Sequence, residues 1–191
     1  MSNEKLWAPW RLAYIADLHR PEQAAPAWTP PPGADANCFM CRAAHQQRDR
    51  ENLVVHRGPT TVAILNRYPY NAGHVLVAPR DHLGWLAEIP AAVQLEAMQQ
   101  ISRLTVALQK LMNADGFNIG LNLGRAAGAG WPGHLHWHVV PRWPGDTNFM
   151  PVIGSVDVIS QSLDVLWEML SEALADESSS SGNAPTEGAH D

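Results

Sequence analysis

The chain has 191 residues, 46% of them hydrophobic, which is enough to bury the core of one domain with appendages. Its formal charge is −6, but Asp176, Glu177, Glu187 and Asp191 supply four of those six in a stretch with no Lys or Arg after Arg142, and the near-neutral body argues against a binder of duplex nucleic acid. No uncharged apolar run reaches the roughly 18 residues of a membrane span, and Met1-Ser2-Asn3-Glu4-Lys5 does not open a signal peptide, so a soluble, cytoplasmic chain with no membrane contact is expected.

Residues 6–16 carry several aromatic and branched anchors, among them Trp7 and Trp10, and this arm should lie on the body or on a partner subunit. Residues 20–37 are rich in Pro and Ala and include Pro30-Pro31-Pro32-Gly33, which predicts an extended, poorly packed and mobile linker. Cys38 and Cys41 follow. Their spacing in a reducing compartment suits a metal pair better than a structural disulfide, with a redox motif or two small core residues as the alternatives. The polar run from Arg42 to Asn52 is expected to begin as a short helix.

From Leu53 the texture becomes β-type. Leu53–His56 and Thr60–Leu65, separated by Arg57-Gly58-Pro59, predict a hairpin, and His74–Pro79 a third antiparallel strand. Val93, Leu95, Met98, Ile101, Leu104, Leu108 and Leu111 recur near helical period, with Pro90 before and Gly116 after, so a helix spans 91–112. Phe117–Leu123 alternates as a strand, and a Gly/Ala loop covers Gly124–Gly130. Leu163, Leu166, Trp167, Leu170 and Leu174 predict a last helix over 160–175, and the Ser- and acid-rich tail from Asp176 lacks the apolar content to order itself. The class is therefore α+β with an antiparallel sheet. The chain divides into an arm and linker (1–37), a central domain (38–150), a C-terminal helical extension (151–175) and a tail (176–191).

Between the Gly/Ala loop and Trp143 stands His134-Leu135-His136-Trp137-His138. As a strand this places three imidazoles on one face and apolar groups on the other, and no packing argument calls for that. Alternate strand residues lie roughly 7 Å apart, so one metal ion cannot hold all three, and the roles divide. Zinc with two Cys and two His is a common closed site; beside Cys38 and Cys41, the candidates are His82 and His134, the triad histidine nearest the glycine loop. That leaves His136 as a nucleophile and His138 as a donor of a proton or a hydrogen bond. The preceding glycines let backbone N–H groups approach an anion such as phosphate.

The stretch His134-Leu135-His136-Trp137-His138-Val139-Val140 resembles the signature of the histidine triad family, and Leu65-Asn66-Arg67-Tyr68-Pro69-Tyr70-Asn71-Ala72-Gly73-His74 resembles its nucleoside-binding strand pair. The resemblance covers about residues 38–150. It implies a sheet-and-helix unit that forms a homodimer or higher homo-oligomer, each subunit giving strands to a continuous sheet. It also implies nucleotidyl transfer through a nucleotidyl-His136 intermediate, with His138 and His134 assisting. Asn66 would meet the ribose, His74 would lie near the catalytic pocket, and Asn122 would reach the phosphates. Where the family binds zinc, the matching positions are Cys38, Cys41, His82 and His134. A divalent cation such as magnesium would accompany the substrate. Trp7-Ala8-Pro9-Trp10-Arg11, Gly120–Gly124 and Pro141-Arg142-Trp143 with Gly145-Asp146 resemble the bacterial branch of diadenosine tetraphosphate phosphorylases (ATP adenylyltransferases). The chain departs from the family before the triad, where a polar group gives way to Ala129-Gly130-Trp131-Pro132-Gly133; backbone N–H groups near Gly130, or Arg125, would take its place. Three rival readings are a hydrolase of nucleoside phosphoramidates or adenylylated amines, a nucleotide-binding protein without catalysis, and a metal hydrolase with catalytic zinc on His134 and His136.

Overall fold

The computed structural model describes residues 28–146 and 162–180, the last five without their side chains. The aromatic arm at 6–16, the first part of the linker and the tail beyond 180 lie outside the described residues. Five strands form one sheet: β1 (Val54–Arg57), β2 (Thr61–Leu65), β3 (Val75–Pro79), β4 (Gly116–Leu121) and β5 (Trp137–Arg142). Their order is β1-β2-β3-β5-β4, with every neighbouring pair antiparallel. The helices are α1 (Phe39–His45), α2 (Ala91–Met112) and α3 (Leu163–Ser180), with single 3-10 turns at Leu86–Glu88 and Arg125–Ala127. The expected α+β class is what the chain adopts. No helix among the described residues is long and apolar enough to cross a membrane.

The hairpin forms where alternating branched residues meet Gly58 and Pro59. Its turn is fastened to α2 by Glu96, whose carboxylate accepts the N–H of Thr60 (3.1 Å) and of Thr61 (3.0 Å) as well as both hydroxyls. In α2 the buried residues Ala97, Ile101, Leu104 and Leu108 recur every three or four positions, so one stripe faces the sheet. Pro90 precedes the helix, and Asn113, at φ 50°, ends it in the left-handed region. The helix packs across β2, β3 and β5, while α3 packs on β1 and α2. Val75, Val77, Trp137 and Val139 join Leu104 and Leu108 in the main core. On the opposite sheet face, Leu76 pairs with His138 and is buried outside that cluster.

Several boundaries differ from expectation for physical reasons. The short helix begins at Phe39 rather than after Cys41, with Cys38 as its N-cap. The described part of the linker, 28–37, has no buried residue, as the expected poor packing implies, but hydrogen bonds tie it to itself and to the loop after β3. Trp28 Nε1–H donates to Ala36 O at 3.1 Å, and His82 N–H donates to Gly33 O at 3.1 Å. The last helix runs on to Ser180, past the Asp176 where the tail was expected to begin. The histidine strand starts only at Trp137, because the segment before it pairs with a loop instead: Leu135 N–H donates to Leu83 O at 2.7 Å.

Candidate active site and metal centre

At the entry to β5 the three histidines take separate roles. His134 is fully buried and turned away from the other two. Its Nε2–H donates to Pro79 O at 2.9 Å, since a carbonyl can only accept, and this leaves the Nδ1 lone pair free. Nδ1 lies 3.3 Å from Cys38 Sγ and 3.5 Å from Cys41 Sγ, and His82 Nδ1 lies 3.3 Å from Cys41 Sγ. The four ligand atoms all fall within 4.8 Å of one another. Bonds of about 2.0–2.3 Å to a tetrahedral zinc place ligand atoms roughly 3.3–3.8 Å apart, so two sulfurs and two nitrogens at these spacings fit that ion. As N-cap and third residue of α1, the cysteines present both thiols from one helix start. The Cys38 thiol hydrogen-bonds Cys41 and holds it far below the ordinary thiol range, to about 3, with His134 adding to the effect. That same bond and burial push Cys38 up.

Asp35 supports this cluster from the linker. Its N–H donates to Cys41 Sγ at 3.4 Å, and its carboxylate lies 3.9 Å from His82 Nε2. Sequence reading missed Asp35, because a lone acid in a Pro-rich stretch carries no pattern.

His136 is 8% exposed, and its Nδ1–H donates to the His134 carbonyl at 2.9 Å. The Nε2 lone pair is thereby left for chemistry. Burial lowers its basicity, which keeps the ring neutral and nucleophilic. His138 stands 5.0 Å away between ring centroids. Its tautomer follows from a chain of bonds: Tyr70 N–H donates to His74 Nδ1 at 3.1 Å, so His74 carries its proton on Nε2 and gives it to His138 Nδ1 at 3.0 Å. His138 must then hold its own proton on Nε2, a buried atom with no hydrogen-bond partner among the described residues. Burial, then neighbouring imidazoles, push His74 down to about 3 and His138 to about 4. The result is a free lone pair beside an uncommitted N–H donor.

The other expected contacts are placed less uniformly. Asn66 Nδ2 sits 3.2 Å from His74 Nδ1, and its Oδ1 accepts from Tyr68 N–H at 3.0 Å, so it braces His74. Asn122 is half-buried one residue past the last β4–β5 pair, Leu121 with Trp137, which brings it alongside His136. Arg125 is exposed at the start of its 3-10 turn, and Gly130 is half-buried just before Trp131. The N–H groups of Ala127, Gly128 and Ala129 bond within the loop itself. Tyr70, whose ring stacks on His138 at 5.7 Å, was not anticipated; its only sequence signal is an aromatic four residues before His74.

Comparison with known proteins follows the same lines. The HIT domain profile matches residues 47–145. An "AP-4-A phosphorylase" of Mycobacterium tuberculosis is 38% identical over 160 residues, which is 84% of this chain and 78% of that protein. A crystal structure of a zinc-bound histidine triad family protein from Mycobacterium smegmatis superposes with TM-score 0.59 at 25% identity, covering 75% of this chain and 97% of that one. A hypothetical histidine triad nucleotide-binding protein from Sulfolobus tokodaii shares the fold at TM-score 0.61 and 24% identity, over 78% of this chain and 99% of that one. With the profile spanning half the chain, the relative matched along most of its length and the triad geometry in place, the chain belongs to the HIT domain family.

Proposed function

We propose that the chain is a nucleotidyl transferase or hydrolase that cleaves dinucleoside polyphosphates, with diadenosine tetraphosphate as the substrate the Mycobacterium tuberculosis relative suggests. The observation that carries this reading is the pairing of a neutral His136, its Nε2 lone pair free, with a His138 whose Nε2–H is uncommitted. In the first step His136 Nε2 attacks the α-phosphorus, forming a P–N bond as the bond to the leaving polyphosphate oxygen breaks. The polyphosphate leaves as its anion, and His138 donates an Nε2–H hydrogen bond to the phosphoryl oxygens, keeping its proton throughout. Phosphate or water then attacks the same phosphorus, the P–N bond breaks as neutral His136 departs, any proton lost by attacking water passes to solvent, and splitting the transfer in two lowers each barrier. Asn122 and Arg125 would meet phosphoryl oxygens, where donors aimed at developing charge act most strongly. A divalent cation such as magnesium on the polyphosphate would neutralise part of its charge.

Cys38, Cys41, His82 and His134 would hold zinc as a structural ion. The geometry disfavours catalytic zinc on His134 and His136, because the His136 ring is bonded to the His134 carbonyl and lies outside the four-ligand cluster. Among the described residues no strand pairs with the outer edge of β4, which supports a homodimer.

The test is incubation with labelled diadenosine tetraphosphate, acid-sensitive trapping on His136, and product analysis with and without inorganic phosphate. ADP plus ATP means phosphorolysis, and AMP plus ATP means hydrolysis. His136→Ala should cut turnover by about 10⁴-fold or more while keeping the fold. An active His136→Ala variant would sink the covalent route. A protein that binds nucleotide but labels nothing is a binder only, and faster turnover of adenosine phosphoramidates would move the substrate class.

A further inference from the structure

Trp85 lies outside every role assigned above, yet its surroundings are built around it. The loop that carries it docks on the segment entering the triad, with Leu135 N–H donating to Leu83 O at 2.7 Å. A Cβ on Gly84 would stand 3.1 Å from Pro132 O, so only glycine allows that approach comfortably. The backbone is pinned from below: Glu88 Oε2 accepts the N–H of Gly84 (3.2 Å) and of Trp85 (3.0 Å). The ring reaches across to the next loop, where a Cβ on Gly124 would meet Trp85 Cη2 at 3.6 Å, and Gly124 itself has φ +75°. The indole is nevertheless 56% exposed.

A single exposed aromatic is ordinary on a protein surface. What sets Trp85 apart is an immobilised backbone, glycines on both approaches and a position between the two loops that border His134 and His136. The opposite end of the triad carries another aromatic, Tyr70, 57% exposed and stacked on His138. Arg125 follows Gly124 directly in the loop that the indole touches and is also exposed. A flat, exposed aromatic face held against the loop that carries an exposed Arg125, with the loop beneath it docked on the segment entering the triad, matches the nucleobase of a polyphosphate.

We propose that the Trp85 indole is the stacking platform for the second base of a dinucleoside polyphosphate, the base distal to the phosphorus that His136 attacks. This rests on the function proposed above. Polyphosphate leaving the triad passes Arg125, and the second base lies on the exposed indole face. Single-nucleoside substrates have no group to reach it, so Trp85 separates the two substrate classes.

The experiment compares Trp85→Ala and Trp85→Phe with the unaltered full chain on diadenosine tetraphosphate and on adenosine 5′-phosphoramidate, reading kcat, KM and, by calorimetry, Kd. Thermal unfolding serves as the folding control. Trp85→Ala should raise KM for the dinucleotide about five- to a hundredfold, as loss of one base-stacking contact implies, and leave KM for the phosphoramidate within about twofold. Trp85→Phe should recover most of the loss. An unchanged dinucleotide KM, or an equal rise for both substrates, overturns the platform and leaves the proposed function standing. If the unaltered chain binds the dinucleotide without cleaving it, the proposed function falls and the platform is judged by the same ratios in Kd. If the chain neither binds nor cleaves it, both fall.

Discussion

A neutral imidazole has one N–H and one lone pair, and in this site each histidine's surroundings decide which nitrogen carries which. The carbonyl of Pro79 fixes His134, the carbonyl of His134 fixes His136, and the Tyr70 N–H fixes His74, which fixes His138. The types and spacing of these residues are legible in the sequence, because three alternating histidines have no packing purpose. Their tautomers are not, since each depends on a backbone group that the fold supplies. One consequence is measurable in stability. His74 and His138 are held neutral by burial, at about 3 and about 4, whereas an unfolded histidine titrates near 6.5. Between those values the unfolded chain binds more protons than the folded one, so stability rises with pH there and is lost as pH falls from about 6.5 towards 4. Above about pH 7 these groups add no slope. Urea unfolding at pH 7.5 and at pH 5.0 should therefore give a lower midpoint in acid, and His74→Asn, which cannot titrate, should reduce the difference. Equal midpoints would show that neither ring is held neutral.

At the scale of elements, the sequence spoke clearly where a period was long or an alternation clean. The 22-residue α2 and the β1–β2 hairpin are where periodicity puts them. Elements set by tertiary partners were less legible: α1 starts at a Cys-Phe-Met run that carries no helical signal, and β5 starts at Trp137 because Leu83 takes the N–H of Leu135. The two sheet edges also differ. β1 is covered by α3, with Trp167 Nε1–H donating to Val54 O at 2.7 Å, whereas β4 exposes Asn118, Ile119 and Gly120. A strand edge left unpaired among the described residues and carrying a 48% exposed Ile119 would serve as a pairing surface. The chain should therefore sediment at about twice its 20.9 kDa mass, with the β4 edge of one copy against that of another. Ile119→Lys should shift the population towards monomer without lowering the melting temperature of the isolated chain by more than a few degrees. A monomer in the unaltered protein at micromolar concentration, or a dimer indifferent to Ile119→Lys, would remove β4 from the interface.

Across the whole molecule, the four-ligand cluster ties together parts of the chain that local sequence keeps apart: the start of α1, the loop after β3 and the entry to β5, with Asp35 of the linker behind them. Its members could be picked out by ligand chemistry and by resemblance, but their convergence comes from the β3–β5 pairing that brings Pro79 and His134 together. His134 has a double part there. Its ring faces the two thiols while its carbonyl holds the His136 N–H, so a metal ion that fixed the ring would also steady the carbonyl that orients His136, the proposed nucleophile. The purified chain is expected to contain about one zinc per subunit. Cys41→Ser should abolish it and lower unfolding free energy by about 3 kcal/mol or more, since a tetrahedral site is lost and buried polar ligands are left unmatched. Turnover should fall in the same variant through kcat, with KM changing less, because the substrate contacts proposed for Asn122 and Arg125 stay in place while the misaligned group is His136. His136→Ala provides the contrast: it should lose turnover with metal content and melting temperature intact. If chelation leaves stability untouched while abolishing activity, the ion is acting on substrate, and the division of labour between His134 and His136 is wrong.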